Sequence, residues 1–240
     1  MKLFCFPWAG GSSVIFDFWK NTTLFNPIAI EYAGHGRRYI QELKTDFNEI
    51  VLDAVGQILD SETTDSICLF GHSMGALVAF EVAHNLCEAG IDVHHLFVSG
   101  MCAPKIWHKK AKEIRRENNI IDAVKGLNGI PSEVLNNPDI LKVFLPIIQA
   151  DYDALDTYHY RHERALESPI TVFSGIEDIE MYCNKNEWRE ETSAACSFYN
   201  YNSGHFFIKE QYRQVINTMH EEIHKTSSER TVDDFERICF

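Results

Sequence analysis

Five residues, Gly71-His72-Ser73-Met74-Gly75, constrain this chain more than any other stretch. They follow an apolar run, Ile67-Cys68-Leu69-Phe70, and precede a helical pattern over residues 76–89. A G-x-S-x-G segment in that setting reads as strand, sharp turn, helix, with the serine at the tip of the turn. Gly71 lets the strand turn without a Cβ clash, and Gly75 lets the helix pass close to a neighbouring strand. The five-residue pattern also arises by chance; its place between a strand and a helix is what gives it meaning. Ser73 is then a hydroxyl held out at a strand end, where a nucleophile belongs.

The rest of the chain supplies a sheet for that turn. Residues 3–6, 27–32, 66–70, 95–99, 169–174 and 196–201 read as short apolar strands. Gly10-Gly11 breaks the first, and Ser12 or Ser13 is placed to cap a following helix. Residues 46–59 carry apolar side chains at Phe47, Ile50, Val51, Ala54, Val55 and Ile58, the spacing of an amphipathic helix. Helices are also predicted over 74–89, ended by Gly90, and over 207–224. Strands alternating with helices imply a mostly parallel sheet. With the serine turn, the fold class is α/β, specifically an α/β-hydrolase fold. Residues 103–166 interrupt the alternation and read as helices only. Asn137-Pro138-Asp139 is a good start for one of them, running to Ala150. The expectation is one domain over 1–224 with a helical lid over 103–166. The polar tail, 225–240, is left unassigned.

The whole-chain balance narrows the function. A chain of 240 residues can bury a full core. Its net charge of −13 argues against nucleic acid and anionic membrane surfaces as partners. No apolar stretch reaches membrane-spanning length, and the first residues are too short for a signal peptide. The seven cysteines are scattered without a C-x-x-C, so neither a zinc site nor a disulfide framework is supported. Reduced thiols and a cytoplasmic location follow.

A serine hydroxyl needs a base, and the base needs a carboxylate to orient it. In this fold the chain order is Ser, then Asp or Glu, then His. Each should sit in a loop beyond the carboxyl end of a strand. Eleven histidines compete for the base. His72 lies inside the turn, His84, His220 and His224 in helical patterns, and His159 and His162 in the lid. Only His205, in Asn202-Ser203-Gly204-His205-Phe206-Phe207, directly follows a late strand. For the acid, Asp178 follows the strand and breaker Thr171-Val172-Phe173-Ser174-Gly175, with Glu177 and Glu180 as near alternatives. An oxyanion needs two backbone N–H donors. Met74, directly after the nucleophile, should give one. The loop Pro7-Trp8-Ala9-Gly10-Gly11 should give the other, from Ala9 first and Trp8 second.

Phe6-Pro7-Trp8-Ala9-Gly10-Gly11-Ser12, the serine turn continued through Ala76-Leu77-Val78-Ala79-Phe80-Glu81, and Ser203-Gly204-His205-Phe206-Phe207 together resemble a type II thioesterase. This is the stand-alone editing enzyme that accompanies nonribosomal peptide and polyketide synthases. Leu127-Asn128-Gly129-Ile130-Pro131-Ser132-Glu133 resembles that family's lid, as does the stretch from Phe144-Leu145-Pro146 to Ala150-Asp151-Tyr152. The likeness spans residues 2–220. It implies Ser73 as nucleophile, Asp178 as acid and His205 as base. It implies hydrolysis of acyl groups from the phosphopantetheine arm of acyl or peptidyl carrier proteins, with no metal or organic cofactor.

Two departures stand out. The family often shows Pro-Gly-Arg-Gly where this chain has Ala33-Gly34-His35-Gly36. The stretch after Ala103-Pro104 is basic, with Lys105, Lys109, Lys110, Lys112, Arg115 and Arg116. Both are expected to bear on substrate preference and carrier docking and not to touch the triad. The competing readings are another serine hydrolase of this fold, such as a small-molecule esterase, a product-releasing thioesterase or acyltransferase, and a non-enzymatic binding protein of hydrolase shape.

Overall fold

The computed structural model describes residues 1–21, 27–61, 66–114, 137–182 and 185–238. Its strands are β1 (Lys2–Phe6), β2 (Pro27–Ala29), β3 (Ile67–His72), β4 (Val93–Ser99), β5 (Ile170–Gly175) and β6 (Cys196–Tyr201). All pair in parallel in the order β2-β1-β3-β4-β5-β6. Helices α1 (Phe47–Leu59) and α2 (Met74–Glu88) cover one face. A 3₁₀ segment (Ser13–Asn21) and the C-terminal helix α7 (Tyr212–Ile238) cover the other. Helices α3 (Pro104–Ile114) and α4 (Pro138–Asp156) come from the insertion; α5 (Ile179–Tyr182) and α6 (Phe207–Glu210) are single turns.

Side-chain alternation explains the two covered faces. Along β1, Phe4 and Phe6 enter the core under α1 and α2, while Leu3 and Cys5 enter the opposite core. Leu69 and Phe70 divide in the same way on β3, and Val172 and Phe173 on β5. Strands buried on both faces therefore read as continuous apolar runs. Helix α1 starts where Asp46 accepts hydrogen bonds from the Asn48 and Glu49 N–H groups, at 2.9 and 3.2 Å. Helix α2 is buried along most of its length, as expected of an element wedged between a sheet and a second helix layer.

Several boundaries differ from the sequence reading, each for a local reason. β2 stops at Ala29, short of residue 32. Just beyond it, the Glu31 carboxylate accepts from the Ser13 N–H at 2.8 Å and the Ser13 hydroxyl at 2.6 Å. Ser13 is thus committed to Glu31 and does not cap the segment it begins. α4 has the expected Asn137 cap, yet it runs past Ala150 to Asp156. Its buried residues Ile148, Ala150, Asp151, Ala154 and Leu155 keep one side against the body of the protein. Residues 157–166 are not helical, contrary to the all-helical reading. Thr157 ends the helix: its hydroxyl donates to Ala154 O and accepts from the Phe47 N–H. The last predicted helix divides at Gln211, and its second part continues through most of the unassigned tail. Thr226, within that tail, bonds the buried His95 ring on β4 at 3.0 Å. Residues 127–133 of the lid resemblance lie outside the described residues, as do Arg115 and Arg116.

Strand register gathers the site. Phe6 pairs with Gly71, His72 with Ser99, and Gly175 with Tyr201. The loops that follow these strands therefore leave the sheet at one edge.

Candidate active site

The turn at Ser73 is built by two backbone approaches that no side chain could survive. A Cβ on Gly71 would lie 2.0 Å from the Gly75 carbonyl oxygen, and one on Gly75 would lie 2.2 Å from the Phe6 oxygen. The chain thus folds back on itself and against β1 at the same point. Ser73 sits at φ 56° and ψ −124°, the one described non-glycine residue at positive φ. Such conformations are costly for a residue with a side chain, and they cluster where function needs them. The Ser73 N–H donates to Ser99 O at 2.8 Å, which pins the turn to β4.

His205 and Asp178 meet across the loops after β6 and β5. The imidazole Nδ1 and the Asp178 Oδ2 are 2.6 Å apart, and both residues are buried. A carboxylate only accepts, so Nδ1 carries the hydrogen. Nε2 then has a lone pair to offer, and it has no hydrogen-bond partner among the described residues. The His205 ring lies 5.1 Å, centre to centre, from that of His72, the residue before the serine. Of the carboxylates weighed from the sequence, Asp178 is the one joined to His205. Glu177 is exposed, and the Glu180 side chain lies outside the described residues.

His72 itself is no rival base. It is fully buried, its Nδ1 bonds the Ser99 hydroxyl at 2.9 Å, and burial, followed by the charges of His205 and Lys209, holds its pKa well below the usual imidazole value. Its role is packing. Trp8 stacks edge-on against both His72 and Phe206, at 5.6 and 5.0 Å. The Lys209 ammonium lies over the same Phe206 and Trp8 rings at 4.2 and 5.0 Å. This aromatic group fixes the loop after β1 beside the loop that carries His205. Pro7 O accepts from the Tyr32 hydroxyl at 3.1 Å, holding the same loop from its other side. Met74 opens α2 and Ala9 lies in the fixed loop, the two places from which the oxyanion donors are expected.

The sequence reading overlooked a second buried cluster beside this loop. Asp151 of α4 accepts from the Gly10 N–H at 2.6 Å and contacts His35 Nε2 at 3.0 Å. The His35 departure was expected to leave the triad untouched, and its ring contacts are Ala33 O and Asp151; through Asp151 it reaches Gly10, the residue next to Ala9. The available signal was a lone carboxylate at a core spacing, Ile148, Asp151, Ala154 and Leu155, on the buried side of a helix. The basic stretch is less informative: Lys105 pairs with Glu190 at 3.2 Å, Lys109 is exposed, and the side chains of Lys110 and Lys112 lie outside the described residues. Among the described residues, no group of three or more His, Cys, Asp or Glu could hold a metal ion.

The chain is similar to known proteins along nearly its whole length. A family model described as a thioesterase domain matches residues 1–223. The gramicidin S biosynthesis protein GrsT of Aneurinibacillus migulanus is 32% identical over 227 residues, 91% of this chain and 87% of GrsT. Among solved structures, ClbQ from the colibactin nonribosomal peptide and polyketide pathway matches with a TM-score of 0.84 at 27% identity. That match covers 94% of this chain and 98% of ClbQ. The type II thioesterase BorB from the borrelidin biosynthetic cluster matches with a TM-score of 0.78 at 26% identity, over 92% of each chain.

Proposed function

This chain belongs to the thioesterase domain family, and from that premise we propose that Ser73, His205 and Asp178 unload acyl groups from the phosphopantetheine arm of acyl or peptidyl carrier proteins. The enzyme is a thioester hydrolase of the type II, editing kind, serving nonribosomal peptide or polyketide synthesis. The observation that carries the residue assignment is the 2.6 Å contact between His205 Nδ1 and Asp178, in the same site as a serine held at φ 56°.

On this reading His205 Nε2 takes the Ser73 proton as Ser73 Oγ attacks the thioester carbonyl carbon. The carbonyl oxygen becomes an oxyanion that accepts from the Met74 and Ala9 N–H groups. Collapse breaks the carbon–sulfur bond, and the arm leaves as a thiol with the proton from His205. Water then attacks the acyl-Ser73 ester, again giving a proton to His205. The carboxylic acid departs as Ser73 recovers its hydrogen. Asp178 holds Nδ1–H throughout and offsets the imidazolium charge. No described helix is long and apolar enough to cross a membrane, and we place the activity in the cytoplasm. The basic stretch that starts at Lys105 is the proposed carrier-docking side.

Intact-mass analysis of acyl-loaded carrier proteins tests the assignment. Wild-type protein should remove the acyl mass and leave the bare arm, and Ser73→Ala should leave the carrier loaded. Near wild-type turnover by Ser73→Ala would overturn the covalent route.

A further inference from the structure

The loop proposed to supply an oxyanion donor is held by the insertion, not by the sheet alone. Gly10 has φ +74°, and a Cβ there would lie 2.5 Å from Cγ1 of Ile148 on α4. One helical turn further along, Asp151 accepts from the Gly10 N–H at 2.6 Å. A short contact of this kind is what an ionised acceptor gives. Asp151 is in turn held by His35, whose Nε2 lies 3.0 Å from the same carboxylate oxygen. His35 Nδ1 lies 3.0 Å from Ala33 O. Both partners of that ring are acceptors, and a neutral imidazole has a single N–H to give. The two contacts together favour the imidazolium form of His35 and a charged pair with Asp151. Asp151 is 1% exposed and His35 3%. Burial pulls the His35 pKa down, but the hydrogen bond to Asp151 and its charge, with help from Ala33 O and Glu31, leave it above the usual value. Removing a charged pair from water is costly, so its retention at this point asks for a reason.

We propose that Asp151, fixed by His35, is a positioning residue for hydrolysis: from α4 it sets the Gly10 peptide, and with it the neighbouring Ala9 N–H, at the place where the oxyanion forms. The proposal rests on the assignment of Ala9 as a donor made above. It gives the insertion a part in the chemistry, because α4 cannot move away from the loop after β1 without withdrawing the acceptor that holds it. Preorganised donors lose their value when displaced by as little as about 1 Å, which can cost about 100-fold in rate.

The test measures kcat and KM on a short acyl-N-acetylcysteamine thioester, which needs no carrier docking. Asp151→Ala removes the acceptor and should lower kcat about 10- to 100-fold with KM changed less than about threefold. Asp151→Asn keeps an acceptor oxygen and should restore kcat to within about threefold of wild type. Ile148→Ala removes the apolar contact with Gly10 but leaves the hydrogen bond, and should also stay within about threefold. Should Asp151→Ala not fold, Asp151→Leu fills the space without an acceptor and gives the same readout. Wild-type kcat in either acceptor-free variant overturns the proposal, as does an equal loss in Asp151→Asn. Ala9→Pro, which deletes the Ala9 N–H, tests the premise separately. If it keeps wild-type kcat, the donor assignment fails whatever the Asp151 variants do.

Discussion

Replacing Asp178 by Asn changes one atom's chemistry at almost constant shape, and the site's geometry sets the size of the effect. The Asp178 carboxylate can only accept, so it forces the His205 hydrogen onto Nδ1 and frees Nε2 for the serine proton. An asparagine can turn its NH₂ toward Nδ1. The ring then carries its hydrogen on Nε2 and has no lone pair to offer Ser73. If the amide oxygen faces Nδ1 instead, the tautomer survives but the countercharge is gone. Both residues are buried, so solvent does little to replace it. A carboxylate about 4 Å from the centre of an imidazolium, at an effective dielectric constant of about 20, is worth roughly 4 kcal/mol. That is about 10³ in rate, and the wrong tautomer takes the loss toward about 10⁴. The assay is release of thiol from a short acyl thioester, followed with a chromogenic thiol reagent, for Asp178→Asn and Glu177→Gln side by side. Asp178→Asn should fall about 10³- to 10⁴-fold while the exposed Glu177 variant stays within about twofold. More than a tenth of wild-type activity in Asp178→Asn, or a comparable collapse in Glu177→Gln, refutes the assignment of the acid.

Three further outcomes follow from the packing and charge. His84, stacked on His162 at 3.6 Å, is held at a pKa of about 3 by burial and then by the His162 charge. The unfolded chain takes up that proton near pH 6.5, so this contribution to stability is intact above pH 6.5 and fades as the pH falls toward 3. Between pH 7 and pH 5 the ceiling is about 2 kcal/mol, discounted to about 1 kcal/mol for the solvent the ring still meets. Urea melts at the two pH values should show wild type losing that much more than His84→Phe, and parallel losses would remove His84 from the account. Gly75→Ala would drive a Cβ into the Phe6 and Pro7 carbonyls at 2.2 and 2.6 Å, whereas Gly56, inside α1, has nothing within 4 Å of its Cβ position. Thermal melts should place Gly75→Ala at or beyond the upper end of the roughly 1–3 kcal/mol that overpacking costs, and Gly56→Ala about 0.5–1 kcal/mol above wild type. Lys109→Glu should raise KM for an acyl-carrier substrate and leave the short thioester unaffected; equal effects on both would remove Lys109 from docking.

The parts of the site that sequence made legible are those fixed by local chemistry. The serine turn needs glycines at two set positions, and their spacing announces it. His205 and Asp178 each follow a strand end, so topology alone orders them. The Asn137 cap is a short-range hydrogen bond with a strong residue preference, and its helix begins where expected. What stayed hidden depends on partners far away in sequence. Glu31, just past the end of β2, is held by Ser13, and Thr226 ties α7 to His95 on β4. The Asp151–His35 pair joins residues 116 positions apart. Its members looked like a lid carboxylate and a family departure until the fold brought them together.

Each proposed participant stands beyond a different strand: Ala9 after β1, Ser73 after β3, Asp178 after β5 and His205 after β6. The catalytic set therefore spreads across most of the sheet, and no two of these strands are consecutive in the chain except β5 and β6. Pairings of this kind close long loops and form slowly. A chain emerging from the ribosome presents Ser73, the proposed nucleophile, long before His205, the proposed base, because β4, β5, β6 and the whole insertion lie between them. Activity is thus a property of the complete sheet, and its appearance would time the final pairing of β6 against β5 more sharply than any measure of helix content.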